Sequence, residues 1–124
     1  MGVILRAHCA SCGLDEELYV GGGLRDCRPE TALAVGGNNP DLAEALRENA
    51  RFRIERRVSV CPLCRKPVAA ARVVYQRPGL TEHIVTPRCP GCASRLLWPP
   101  KDPESIECPV CGNEIPLLTG GHWD

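Results

Sequence analysis

Eight of the nine cysteines in this chain stand in four C-x-x-C pairs: Cys9/Cys12, Cys61/Cys64, Cys89/Cys92 and Cys108/Cys111. Two intervening residues let a tight turn aim both sulfurs at one ion while backbone N–H groups point at them. Two such turns complete a tetrahedral Cys₄ set, so four pairs imply two structural Zn²⁺ sites. A single pair would leave a redox reading open; four in 124 residues favour metal. The composition agrees. Tyr19, Phe52, Tyr75, Trp98 and Trp123 are the only aromatic residues, and twelve Gly and twelve Pro interrupt the chain too often for long helices. A chain this short and this poor in aromatic burial needs a staple.

Compartment decides whether the staple is disulfide or metal. The start, MGVILRAH, has no apolar run of signal-peptide length, and Arg6 breaks the myristoylation pattern. No stretch approaches the roughly 20 apolar residues of a membrane span. The expectation is a soluble cytoplasmic protein with reduced thiols and no membrane association.

The turns themselves are informative. Pro62, Pro90 and Pro109 follow the first cysteine of their pairs, where a fixed φ suits the bend, and Gly13 and Gly112 follow the second, where a left-handed backbone is cheapest. Arg65 and Ala93 occupy that position in the other two pairs. In these knuckles the chain resembles the zinc ribbons, β-hairpin modules of transcription factors, RNA polymerase subunits and ribosomal proteins. The closest stretch is CPGCASRLLWPPKDPESIECPVCGNEIPL, from Cys89 to Leu117. It reads as a knuckle, a strand over Ser94–Trp98, a turn, Ile106 leading into a second knuckle, and a strand over Glu114–Leu117. The whole chain also looks like small bacterial double-ribbon proteins of unassigned function, with a first C-x-x-C-G, a glycine-rich stretch, a helical insertion and a Trp-Asp ending.

The expected fold is therefore a small β-rich, metal-stabilised one: two zinc ribbons with a short helical insertion. In a tandem arrangement Cys9/Cys12 joins Cys61/Cys64, and Cys89/Cys92 joins Cys108/Cys111. That divides the chain into a first ribbon over residues 1–66 with its insertion near 29–50, a linking β-hairpin over 67–88, and a second ribbon with the tail over 89–124. In a nested arrangement the inner pairs meet across a hairpin of Val68–Tyr75 and His83–Thr86, and the outer pairs meet each other. Loop-closure entropy rejects neither. The tandem form has the better local spacing in its second ribbon and is preferred.

Asn39, Pro40 and Asp41 are N-cap, first-turn proline and first-turn anion for a helix whose face is Leu42, Ala45, Leu46 and Asn49. Glu30–Val35 predicts a shorter helical turn, and Glu17–Val20 a strand. Phe52, Ile54, Val58 and Val60 alternate as one face of a strand, with Arg51, Arg53, Glu55 and Arg57 on the other. Gly21-Gly22-Gly23 reads as a bend, since no nucleotide fingerprint surrounds it. Gly36-Gly37 and Gly120-Gly121 read as turns. Cys27 is expected to be buried as a small hydrophobe, Trp123 to pin the tail, and His122 to be exposed rather than paired with Asp124 for catalysis.

Net charge is zero, but residues 47–95 carry eleven Arg/Lys against three acids. A cationic middle between acidic ends suits a nucleic-acid backbone, with Arg51, Arg53 and Arg57 on one exposed face; the bland alternative is arginines paired with the acids. Complete Cys₄ sets leave no open metal position, and no catalytic motif accompanies His8, His83 or His122. The sequence thus points to a non-catalytic, zinc-binding recognition module, without an evident small-molecule substrate, whose partner is nucleic acid or a nucleic-acid-handling protein. Two other readings stand beside it. One is a rubredoxin-like iron electron carrier, which the Cys108-Pro109-Val110-Cys111-Gly112 knuckle resembles although the aromatic core of rubredoxins is missing. The other is a purely protein-binding adaptor.

Overall fold

Short alternating segments between Gly/Pro breaks form strands here, and ten elements cover most of residues 2–123, the part of the chain that the computed structural model describes. They are β1 (Gly2–His8), β2 (Asp15–Val20), a 3₁₀ turn (Leu24–Cys27), α1 (Pro29–Val35), α2 (Pro40–Arg47), β3 (Arg51–Val60), β4 (Pro67–Gln76), β5 (His83–Val85), β6 (Ser105–Glu107) and β7 (Glu114–Trp123). Two antiparallel sheets result. One has the order β2-β1-β7-β6 and joins the two ends of the chain; the other, β3-β4-β5, is its middle. The protein is a small β-rich fold with two Cys₄ groups, as the cysteine pattern implies.

Local chemistry sets the helices. The Asn39 side-chain oxygen accepts from the backbone N–H groups of Asp41 and Leu42 at 3.0 and 3.1 Å, and Pro40 opens α2. The Glu30–Val35 turn is a full α1 that begins at Pro29. Leu42 and Ala45 of α2 and Ala32 of α1 pack on Ile54, Val73 and Tyr75 of the middle sheet. Asp41 ties α2 to that sheet twice, accepting from the Tyr75 hydroxyl and, at 3.0 Å, from Arg77.

β1 pairs with β7 from Gly2↔Trp123 to Ala7↔Leu117, and this pairing overturns the tandem arrangement. It places the first and last knuckles at the same end of one sheet. The small side chain of Gly2 matters here, because a Cβ would lie 2.2 Å from Trp123 Nε1. Trp123 pins the tail as expected: its Nε1–H donates to the Val20 carbonyl at 3.0 Å, its ring meets Tyr19 edge-on at 5.8 Å, and Arg56 lies 5.6 Å from its centroid.

Several expectations need correction. Gly120-Gly121 is not a turn. It lies inside β7, where the register against β1 slips between Ile4 and Leu5 and Gly121 takes φ +152°, a β-bulge that glycine accommodates. Ser94–Trp98 is not a strand. Only an isolated Arg88↔Arg95 bridge forms, and the rest is held by other means. Leu96 N–H donates to the Pro87 carbonyl, Ser59 Oγ donates to the Leu97 carbonyl, and Trp98 lies under Arg72 (4.2 Å) and Arg57 (5.2 Å). Pro99 and Pro100, lacking N–H donors, end any ladder there. Cys27 is exposed, because Asp26 takes the inward position of the 3₁₀ turn. Val60 is also largely exposed, the neighbouring Ser59 being the buried residue.

Asp26 explains how Arg56, on the inward face of β3, is tolerated. Its carboxylate accepts two bonds from the guanidinium, at 2.9 and 3.0 Å, with the Asp26 side chain 5% exposed. A bidentate pair of this kind is balanced only while both partners are present. Asp26→Ala leaves the guanidinium uncompensated and is expected to lower stability by about 3 kcal/mol, read from urea unfolding of the metal-loaded chain. A loss within experimental error would show that water already solvates Arg56.

Candidate metal centres

Each C-x-x-C closes a six-residue loop between two paired residues: His8↔Asp15, Val60↔Pro67, Arg88↔Arg95 and Glu107↔Glu114. The four loops share two backbone hydrogen bonds. The carbonyl of the first cysteine accepts from the residue four positions on: Gly13 (2.9 Å), Arg65 (2.8 Å), Ala93 (2.8 Å) and Gly112 (2.9 Å). Its N–H donates to the carbonyl five positions on: Leu14 (2.8 Å), Lys66 (3.1 Å), Ser94 (2.8 Å) and Asn113 (2.8 Å). The fourth-position residue must take a left-handed backbone, with φ of +82° at Gly13, +62° at Arg65, +61° at Ala93 and +79° at Gly112. Arg65 and Ala93 therefore adopt the glycine conformation at a cost of about 1–2 kcal/mol each.

The loops meet in pairs. Cys9, Cys12, Cys108 and Cys111 form one group, and Cys61, Cys64, Cys89 and Cys92 the other, with the sulfurs of each group all within 4.8 Å of one another. Cys9–Cys111 and Cys12–Cys108 are 3.5 and 3.3 Å apart; Cys61–Cys92 and Cys64–Cys89 are both 3.5 Å. A tetrahedron with metal–sulfur bonds of about 2.3 Å has edges of about 3.8 Å, whereas a disulfide is about 2.05 Å. All eight thiols are free, and the spacing suits a shared ion. The pairing is nested. β1 and β7 bring the outer loops together, and the β3–β4 hairpin places Cys61/Cys64 beside the 89–92 loop.

The surroundings favour thiolate at four of the eight sulfurs and oppose it at Cys12, Cys64 and Cys111. Cys61 is held below the ordinary thiol range chiefly by the Cys64 N–H, and Cys9 by that of Cys12. The Cys111 N–H does the same for Cys108, which falls to about 6; the Ser94 hydroxyl and N–H bring Cys92 to about 6. Cys64 is pushed up to about 12, first by its contact with Cys92 and then with Cys61 and Cys89, because thiolates this close cannot all ionise without a cation between them. The first cysteine of each pair is buried, while Cys12, Cys92 and Cys111 face solvent. The outer group shares a core with Ala7, Leu18, Val58, Ile106 and Ile115; the inner packs with Ala70 and Leu96.

The three arginines proposed for nucleic acid meet different fates. Arg51 is exposed, with no carboxylate at ion-pair distance among the described residues. Arg53 pairs with Glu82 at 2.6 Å, and Arg57 donates to the Pro99 and Pro100 carbonyls at 2.6 and 2.7 Å. Arg72 with Glu55 and Arg77 with Asp41 and Glu48 are likewise engaged. Charge counting alone could not separate these from Arg65, Lys66, Arg88 and Arg95, which are exposed and meet no carboxylate among the described residues, Arg88 reaching the Ala93 carbonyl at 3.1 Å. His122 is exposed, and Asp124, its conceivable partner, lies outside the described residues. Among the described residues no helix is long and apolar enough to cross a membrane.

No protein-family model, curated protein or solved structure matches this chain. The metal assignment accordingly rests on the four loops and their sulfurs.

Two outcomes test this geometry. Cys9→Ser should expose Cys12, Cys108 and Cys111 to alkylation while Cys61, Cys64, Cys89 and Cys92 stay protected, read by mass spectrometry; protection of Cys108 and Cys111 would contradict the pairing. Ala93→Gly should stabilise the metal-loaded chain by about 1 kcal/mol through relief of the left-handed residue, measured by thermal unfolding.

Proposed function

We propose that this chain is a non-enzymatic recognition module built on two structural zinc ions, with nucleic acid or a nucleic-acid-handling protein as its partner. The observation that carries the metal half is the pair of four-sulfur groups closed by near-identical loops. Four thiolates with backbone N–H donors are a typical structural zinc environment and leave no coordination position for a substrate. Each ion supplies a crosslink worth on the order of 10 kcal/mol to folding, comparable with the stability of a whole domain. Reduced thiols on this scale fit a cytoplasmic setting.

The partner half is supported by the cations that the fold leaves free. Arg65 and Lys66 follow Cys64, Arg88 precedes Cys89, and Arg95 lies three residues after Cys92. Arg65 lines a cavity beside Pro109 and Val110 of the last knuckle, Arg88 and Arg95 line another beside the α1–α2 connection, and the Cys61–Cys64 knuckle carries Leu63, 70% exposed. Unpaired cations flanking the inner loops can contact phosphates, and an exposed apolar knuckle residue a base or side chain. This moves the favoured surface from Arg51, Arg53 and Arg57 to the inner knuckles.

Native mass spectrometry with metal analysis, on protein purified without added metal, tests the first half. Two zinc ions and eight alkylation-protected cysteines are expected; iron in either site would bring forward the electron carrier. For the second half, binding of a single-stranded oligonucleotide should weaken with salt by roughly 0.7 log units per log unit for each phosphate neutralised. Arg65→Ala and Lys66→Ala should each lower that slope by roughly one contact. Binding that ignores salt would favour a protein-binding adaptor.

A further inference from the structure

Of the four loop bases, Arg88↔Arg95 alone sets two arginines directly opposite one another. Like charges facing across a bridge repel, so the arrangement calls for compensation. At the other like-charged base, Glu107↔Glu114, Glu114 accepts a 2.5 Å bond from the Ser105 hydroxyl. At Arg88↔Arg95, among the described residues, the sole hydrogen bond of a guanidinium is the 3.1 Å one from Arg88 Nη1 to the Ala93 carbonyl, and neither arginine meets a carboxylate. Both instead line a cavity of about 310 Å³ between the inner loop and the α1–α2 connection.

The rest of that cavity is neutral: Val35, Gly36, Ile84 and Val85 line it together with two polar residues. Thr86 brings a hydroxyl. Asn39 brings its side-chain NH₂, because its oxygen is committed to capping α2. Among the described residues no acid lines the space, and the positive end of α2 lies at Asn39. The geometry points to an oxyanion site: Arg88 and Arg95 bind a phosphate group, with Thr86 and Asn39 as neutral donors. Two guanidinium forks match the several oxygens and the negative charge of phosphate, and the volume leaves room for the ester it belongs to. This rests on the nucleic-acid reading in taking that phosphate from a nucleic-acid strand rather than from free phosphate. The bland account is that the two arginines serve only to balance the −2 charge of a Zn(Cys)₄ centre at Cys89 and Cys92.

The metal-loaded full chain is titrated in two arms. With inorganic phosphate as probe, the Arg88 and Arg95 Nε–Hε and Thr86 amide resonances should shift saturably. Arg95→Gln and Thr86→Asp should each weaken the effect by about tenfold or more, with both metals retained by native mass. Thr86→Asp keeps both arginines, so it decides the matter if Arg95→Gln disturbs the inner centre. In the second arm, phosphate should displace a short single-stranded oligonucleotide, and the same variants should weaken that binding in parallel. Phosphate binding without oligonucleotide competition keeps the pocket and sinks the nucleic-acid reading. Oligonucleotide binding that ignores both variants does the reverse. Absence of any saturable phosphate shift in the unaltered chain overturns the site, and so does unchanged phosphate affinity in Thr86→Asp.

Discussion

A C-x-x-C loop presents two sulfurs on one side of a tight bend, and two are half of what a tetrahedral ion requires. Every loop must therefore find a second, and the fold is the solution to that matching problem. The outer match is made by β1 on β7, a pairing of chain ends that carries Cys9/Cys12 and Cys108/Cys111 to the same edge. The inner match depends less on ladders. β3 and β4 support Cys61/Cys64 through ten residue pairs, while the opposing loop is held by one bridge, the Ser59–Leu97 bond and the Trp98 stack. Its strength depends on side chains more than on strand hydrogen bonds.

Such a scheme suits a chain without a large core. The apolar residues form three small clusters rather than one, two of which include ligand cysteines. Burial of Val58, Ile106 or Leu96 is then coupled to cysteine positioning, because each shares a cluster with buried cysteines. In clusters this small, metal crosslinks at the two Cys₄ groups would supply what aromatic burial supplies elsewhere.

Arginines do two kinds of work. Arg56, Arg72, Arg77 and Arg57 brace the interior by reaching carboxylates, indole faces or proline carbonyls, where a planar fork outperforms a point charge. The cations nearest the inner loops reach no carboxylate and face solvent. The formal neutrality of the chain thus hides a largely compensated sheet, on which Arg51 stays free, and a group of unpaired cations next to the inner cysteines.

Much of the local structure was legible in the residues. Cysteine spacing, the prolines and the glycines define four knuckles; Asn39-Pro40-Asp41 starts a helix; alternation at Phe52, Ile54 and Val58 marks β3. These are short-range effects, decided by φ preferences, a capping side chain and a period of two. What lay beyond the sequence was every choice made at long range. Nested rather than tandem pairing follows from β1 meeting β7 more than a hundred residues away, and loop entropy is too flat in length to announce it. Gly120-Gly121 is a bulge rather than a turn because β1 lies alongside. The use of Arg53 and Arg57 depends on Glu82 and on Pro99 and Pro100 arriving from distant segments. Local chemistry determined which residues could bind metal; tertiary contacts decided which of them are brought together to do so and which charges are left to face outward.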